Sequence, residues 1–246
     1  VAVIGSGSGG GVAANILNKK YEVGIFEKGS YGNGMTNNET FGYHNFYDTN
    51  GIQQTRGYKV LLLAGMGIGG GTSVNWTTSL RTPNQILNEW DNLTEQDNYF
   101  NSHEFKNSMD YVCKELNVDI KNNRIPKKEE RLAEGLELSN LSYKIIPRNT
   151  SNDECTESGF STFGRYDESI NSTNKIWFSE ERFEPNNVFS DTNITSLDLS
   201  NGRATHINIE NNGTLHKVAV DKVVLAAGSL NTPKILLDSG YKNKHL

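Results

Sequence analysis

A chain of 246 residues can bury a substantial core, as one large α/β domain or as a nucleotide-sized domain with a smaller companion. Its net charge of -5, from 24 basic and 29 acidic residues mixed along the chain, offers no basic stripe and excludes a nucleic-acid partner. The longest apolar run, Val60 to Ala64, is strand-sized and far short of the roughly 20 residues that cross a bilayer, so any membrane association is not encoded here.

The chain opens inside an apolar β-branched run, Val1 to Ile4, that stops at Gly5; Val12 to Leu17 then reads as helix after a stretch of Gly and Ser. Val23 to Phe26, closed by Glu27 and Gly29, completes a βαβ unit and predicts parallel neighbours. Ser30 to Gly57 shows no periodicity and is expected to be a long surface connection. Tyr58 to Ala64 reads as a strand. Behind Ser102, a cap residue, Phe105, Met109, Val112, Cys113 and Leu116 keep helical spacing, so Cys113 is expected to pack rather than react. Ile194 to Leu199, Ala204 to Ile209 and Leu215 to Val220 are three short strands joined by Asn201-Gly202 and Asn211-Asn212-Gly213, residues that accept the positive φ of hairpin turns. Val223 to Ala226 is a last apolar strand, followed by a helix from Pro233.

Gly5, Gly7 and Gly10 make a GxGxxG between strand and helix, within GSGSGG. In that place Gly5 allows the tight turn, Gly7 lets the backbone approach a pyrophosphate, and Gly10 lets helix and strand pack closely. The helix N-terminus adds unpaired N–H groups and partial positive charge. Glu27, at the end of the second strand, suits ribose hydroxyls and disfavours a 2′-phosphate, hence NADP. A second cluster, Gly65 to Trp76, has no reason to exist in a plain nicotinamide domain. Its glycines allow the backbone to lie flush against a flat ring or a phosphate, with Thr72, Ser73 and Asn75 as donors beside it and Val74 and Trp76 as a packed flank.

These segments resemble the glucose-methanol-choline (GMC) family of FAD oxidoreductases, and within it the long-chain alcohol oxidases. GSGSGG with Glu27, AGMGIGGGTSVNWTTSLRTP from Ala64 to Pro83 followed by Glu89-Trp90, and AAGSLNTPKILLDSG from Ala226 to Gly240 stand in the family's order and span nearly the whole chain. The resemblance implies FAD in an extended groove. Gly5, Ser6, Gly7, Ser8, Gly9 and Gly10 would lie at the pyrophosphate, Glu27 at the adenosine ribose, and Gly69, Gly70, Gly71 and Asn75 beside pyrophosphate and flavin. It further implies that the backbone of Ile194 meets adenine and that Ala227 and Gly228 close the groove.

The expected fold is therefore α/β, a Rossmann-like FAD-binding domain carrying an inserted antiparallel portion of a substrate domain. The expected parts are an FAD-binding part over 1–100, a helical linker and partial substrate domain over 101–220, and a return to the FAD-binding domain over 221–246. The implied activity is oxidation of a primary alcohol by hydride transfer to flavin, with dioxygen or another acceptor downstream. Two departures from the family pattern stand out: Arg148-Asn149 is followed by the single Cys155, and Tyr241-Lys242 replace an aliphatic residue and Gly after the closing signature.

The start at Val1, inside a strand and without a targeting segment, reads as that of a fragment, and the family's catalytic histidine would fall beyond Leu246. No catalytic residue and no metal ligand is assigned; His44, His103, His206, His216 and His245 read as structural or solvated. A non-catalytic FAD-binding fragment or pseudoenzyme is the alternative. Two cysteines are too few for a disulfide framework or a zinc site and fit a reducing, intracellular compartment.

Overall fold

The computed structural model describes residues 1–31, 38–95, 98–121, 125–151, 169–211 and 213–243. In chain order the elements are β1 (Ala2–Ile4), α1 (Ser8–Leu17), β2 (Gly24–Phe26), α2 (Glu39–Phe46), β3 (Gln53–Gln54), β4 (Leu61–Leu62), α3 (Asn84–Thr94), α4 (His103–Glu115), β5 (Val118–Asp119), α5 (Lys127–Leu138), β6 (Arg148–Asn149), α6 (Thr173–Trp177), β7 (Val188–Phe189), β8 (Asn193–Ser200), β9 (Arg203–Asn211), β10 (Thr214–Ala219), β11 (Val223–Leu225) and α7 (Gly228–Asp238). The described residues of 1–75 and 172–243 form one compact unit, and those of 76–151 and 169–171 form another.

The first unit is built on a parallel sheet in the order β11-β1-β2-β7, with Ile4 level with Leu225 on one side and Phe26 on the other. This is the expected βαβ arrangement. Central parallel strands are covered on both faces, which is why β1 is a continuous apolar run rather than an alternating one. Helix α1 lies against β1, β2 and β11. From the other sheet, order β10-β9-β8, Ile194, Leu197, Ile207 and Ile209 join Ala2, Ile4, Phe26 and Ile235 of α7 in one buried cluster. The insert therefore shares the nucleotide domain's core, and the compact units divide at Asn75–Trp76 rather than near residue 100.

Both hairpin turns form, with Asn201 and Gly202 at φ 50° and 74° and Gly213 at 76°. Elsewhere the elements differ from expectation. The connection after Ser30 contains α2, whose start is fixed by the Asn38 side chain accepting the Phe41 N–H. Only Leu61 and Leu62 of the Tyr58–Ala64 run join a ladder, because Tyr58 takes φ 60° in the turn that returns the chain from β3. Helix α7 starts five residues before Pro233, at Gly228.

In the second unit, α4 starts at the predicted cap, with Ser102 Oγ accepting the Phe105 N–H, and Cys113 is half-buried on it. Cys155 lies outside the described residues. Among the described residues, no helix is long and apolar enough to cross a membrane.

Candidate cofactor site

Three parallel strands end side by side. The Ala226 N–H donates to the Ile4 carbonyl and the Gly5 N–H to the Phe26 carbonyl, which sets Ala226, Gly5 and Glu27 in a row at the carboxyl edge of the sheet. Ligands of open α/β sheets bind at this edge.

The turn from β1 into α1 is closed on one face and open on the other. Gly5 sits at φ 97°, and a Cβ there would strike the Ala226 carbonyl; a Cβ on Gly10 would strike the carbonyl oxygen of Gly5. At Gly7 and Gly9 a Cβ would meet nothing within 4 Å. Gly7 is also the N-cap of α1, and no side chain caps the helix, so the first-turn N–H groups face the open side without a protein acceptor of that kind. An uncapped helix start beside a backbone bare of side chains fits a pyrophosphate.

Glu27 is buried at the end of β2. Its Oε2 accepts the Ser6 N–H at 2.9 Å and the Ser6 hydroxyl at 2.7 Å, and its Oε1 accepts the Gly29 N–H at 3.1 Å. A carboxylate has about four lone-pair directions, so one, on Oε1, is left for a ligand hydroxyl. Ser6, read from sequence as a phosphate-loop contact, directs both its donors to Glu27 instead. Ser8 and Gly9 are exposed at the start of α1.

The second glycine cluster folds back onto the first. Gly67, Gly69 and Gly70 take φ 100°, 93° and 51°. A Cβ on Gly70 would lie 3.1 Å from the Gly7 Cα, and one on Gly29 would strike the Gly67 backbone. The Gly69 N–H donates to Ser6 Oγ at 3.0 Å, and the Ile68 N–H to the Ser30 carbonyl at 3.2 Å. Two of the expected donors are already in use: Thr72 Oγ1 donates to the Gly69 carbonyl at 2.6 Å and Ser73 Oγ to the Ile68 carbonyl at 3.1 Å. They stabilise the short 3-10 turn over Gly70–Ser73, while Thr72 also accepts the Thr173 N–H at the start of α6. Gly71 is exposed and Asn75 half-buried at the end of this segment. Val74 packs with Phe46 and Tyr47, and its carbonyl accepts the Tyr47 hydroxyl at 3.4 Å. Burial, with Tyr43 adding to it, pushes the Tyr47 phenol up to about 12, so it remains a neutral donor. Trp76, expected to pack, is 68% exposed.

The Thr192 N–H donates to the Glu27 carbonyl and the Asp191 N–H to the Gly29 carbonyl, which draws the start of β8 alongside Glu27. The Ile194 side chain is buried in the core, so only its backbone can face a ligand, and the ladder is irregular between Ile194 and Ser196. Ala227 is half-buried and Gly228, at φ 79°, is exposed.

One network carried no sequence signal. Asp48 accepts Lys28 Nζ at 2.6 Å and Asn231 Nδ2 at 3.3 Å, tying the residue after Glu27 to α7. Burial pushes the Asp48 carboxyl up, but hydrogen bonds from Lys28, Asn231 and the Thr49 N–H, with the Lys28 charge, hold it below the ordinary 3.8. A carboxyl whose folded value is depressed stabilises above its unfolded value, and the stabilisation is lost as pH falls through the folded one. Urea denaturation is therefore expected to show the wild type losing stability below about pH 4, and Asp48→Asn losing less over the same window while being weaker at pH 7.

His103 pairs with Asn107 and His206 with Thr205, and His245 lies outside the described residues. Among the described residues no cluster of His, Cys, Asp and Glu could hold a metal ion.

The model of a family described as GMC oxidoreductase matches residues 8–246. The long-chain-alcohol oxidases FAO4A and FAO1 of Arabidopsis thaliana are both 30% identical to this chain, over 253 and 264 residues. Each alignment covers 99% of this chain but 34% of the relative, so the chain spans about a third of their length. Pyridoxine 4-oxidase from Mesorbium loti superposes with a TM-score of 0.65 at 13% identity, over 97% of this chain and 51% of that one. An FAD-dependent oxidoreductase from Chaetomium thermophilum does so with 0.66 at 16%, over 96% and 46%. These two likenesses establish the shared fold.

Proposed function

This chain belongs to the GMC oxidoreductase family and its cofactor is FAD, and from that premise we propose that it forms the FAD-binding part of an oxidoreductase acting on the CH–OH group of a primary, long-chain alcohol. The observation that carries the reading is the meeting of two glycine segments, at Gly7 and Gly70, beside the buried carboxylate of Glu27. A nicotinamide domain needs the first segment and the carboxylate but has no use for the second. The long-chain substrate is supported by the identity to the two Arabidopsis oxidases.

In this reading the Gly5–Gly10 turn, through its glycines and Ser8 with Ser6 directed to Glu27 instead, and the start of α1 hold the pyrophosphate, and Glu27 takes one ribose hydroxyl through Oε1. Gly69 to Gly71 and Asn75 run beside pyrophosphate and flavin, the Ile194 backbone meets adenine, and Ala227 with Gly228 closes the groove. Glu27 repels a 2′-phosphate by charge. When bound, FAD supplies the acceptor for a hydride from the carbinol carbon. A base within hydrogen-bond reach must take the hydroxyl proton. None of the side chains at the glycine segments is such a base, because beside the glycines they are hydroxyls, an amide, an indole and apolar groups, none of which takes up a proton near neutral pH. Dioxygen or another acceptor would be the final recipient of the electrons.

Anaerobic addition of a long-chain primary alcohol to the flavin-loaded full-length protein is expected to bleach its visible absorption, with short-chain alcohols less effective. Unchanged absorption with every alcohol tried would contradict the proposed substrate class.

A further inference from the structure

Ser6 has the environment of a residue selected for its hydroxyl. It is completely buried, and that one oxygen joins three segments of chain far apart in sequence. The hydroxyl has a single proton and two acceptors in reach, Glu27 Oε2 at 2.7 Å and the Gly67 carbonyl at 3.3 Å. The shorter, charge-assisted bond to the carboxylate takes it. The oxygen's lone pair receives the Gly69 N–H at 3.0 Å.

Alanine would fill the same space without either bond. We propose that Ser6 is a positioning residue for FAD, acting through Glu27 and Gly69 and touching no part of the cofactor itself. The inference rests on the FAD-site reading above. With its proton on Oε2, Ser6 completes the pair of bonds that pins this oxygen and leaves the free lone pair of Oε1 in a set direction. With its lone pair on Gly69, it holds the second glycine segment against Gly7. The ribose contact and the loop over the pyrophosphate are thereby aligned by one atom. Removing the hydroxyl leaves Oε2 held by the Ser6 N–H alone and the buried Gly69 N–H without its acceptor.

The test compares apoprotein of the wild type, Ser6→Ala, Ser6→Cys, Glu27→Gln and the Ser6→Ala/Glu27→Gln double variant. FAD affinity is read from quenching of flavin fluorescence, and apoprotein stability separately from urea denaturation. Loss of a hydrogen bond to a charged group corresponds to a roughly ten- to hundredfold weaker FAD affinity for Ser6→Ala. The thiol, a weaker donor, should restore part of it. The double variant should bind more weakly than Glu27→Gln, but by less than Ser6→Ala loses on its own, because the part of the effect that runs through Glu27 is shared and the part that runs through Gly69 is not.

Wild-type affinity in Ser6→Ala, or losses that add in the double variant, would overturn the proposal. So would an apoprotein that is less stable yet binds FAD as the wild type does, which is the signature of a merely structural serine. If Ser6→Ala does not fold, Ser6→Cys decides: affinity equal to wild type overturns the role. Failure of the wild-type apoprotein itself to bind FAD would instead bring down the reading of the site on which the role depends.

Discussion

Gly7→Val is expected to leave the protein folded and to strip it of FAD. Gly7 sits at φ −67° and ψ −165°, which any L-residue adopts, and a Cβ there meets nothing within 4 Å. Its cost to the apoprotein is that of a poor N-cap, about 1 kcal/mol or less. The added methyls would occupy the face along which the pyrophosphate must approach the backbone, so FAD affinity should fall by at least about a hundredfold, some 3 kcal/mol. Gly10→Ala is the contrasting control. Its single methyl would strike the carbonyl of Gly5, a backbone atom that cannot swing aside, so α1 and β1 must separate. The expected loss is about 3 kcal/mol of stability in the apoprotein, at the upper end for overpacking. Urea denaturation and FAD titration of both variants distinguish the roles: the larger side chain should spare the fold and the smaller one damage it.

Replacing Glu27 by alanine should damage both at once. The carboxylate accepts two N–H groups and a hydroxyl in a buried place, and its removal leaves the Ser6 and Gly29 N–H groups without their acceptor. The Ser6 hydroxyl has a substitute in the Gly67 carbonyl, but the two amides have no second acceptor among the described residues. At about 1–3 kcal/mol for each orphaned donor, Glu27→Ala should cost roughly 2–6 kcal/mol of stability and abolish FAD retention. Glu27→Gln keeps the shape and one acceptor oxygen but turns an amide N–H₂ toward a donor. It should fold and bind FAD at least about tenfold more weakly. A Glu27→Ala protein of wild-type stability would show that the three hydrogen bonds contribute little.

What could be read from the sequence follows from which interactions are local. Strand, glycine turn, helix and second strand are adjacent, the apolar run Val1–Ile4 stops at Gly5 and the run Val23–Phe26 is closed by Glu27 and Gly29, so β1, α1 and β2 were legible. The hairpins of β8 to β10 were legible for the same reason, since Asn201-Gly202 specifies its turn without help from the rest of the fold. Helix α2 was not, because its Tyr, His and Asn residues spread polar and aromatic groups around the helix and blur the apolar stripe. Nor could the sequence show that the Thr72 and Ser73 hydroxyls bond within their own loop, which depends on the positive φ of Gly69 and Gly70. The bond from Asn231 to Asp48 joins residues 183 apart and has no local signature at all. At the site, the glycines and Glu27 could be read as chemistry, whereas the inward-facing role of Ser6 required three segments to be seen together.

Equilibrium titration of the apoprotein with FAD, FMN and NADP tests the central claim most directly. A site that holds both halves of a flavin dinucleotide, and repels a 2′-phosphate through Glu27, should bind FAD tightly and in one-to-one ratio, FMN far more weakly, and NADP not measurably. Equal affinity for FMN and FAD, or binding of NADP in preference to both, would contradict it.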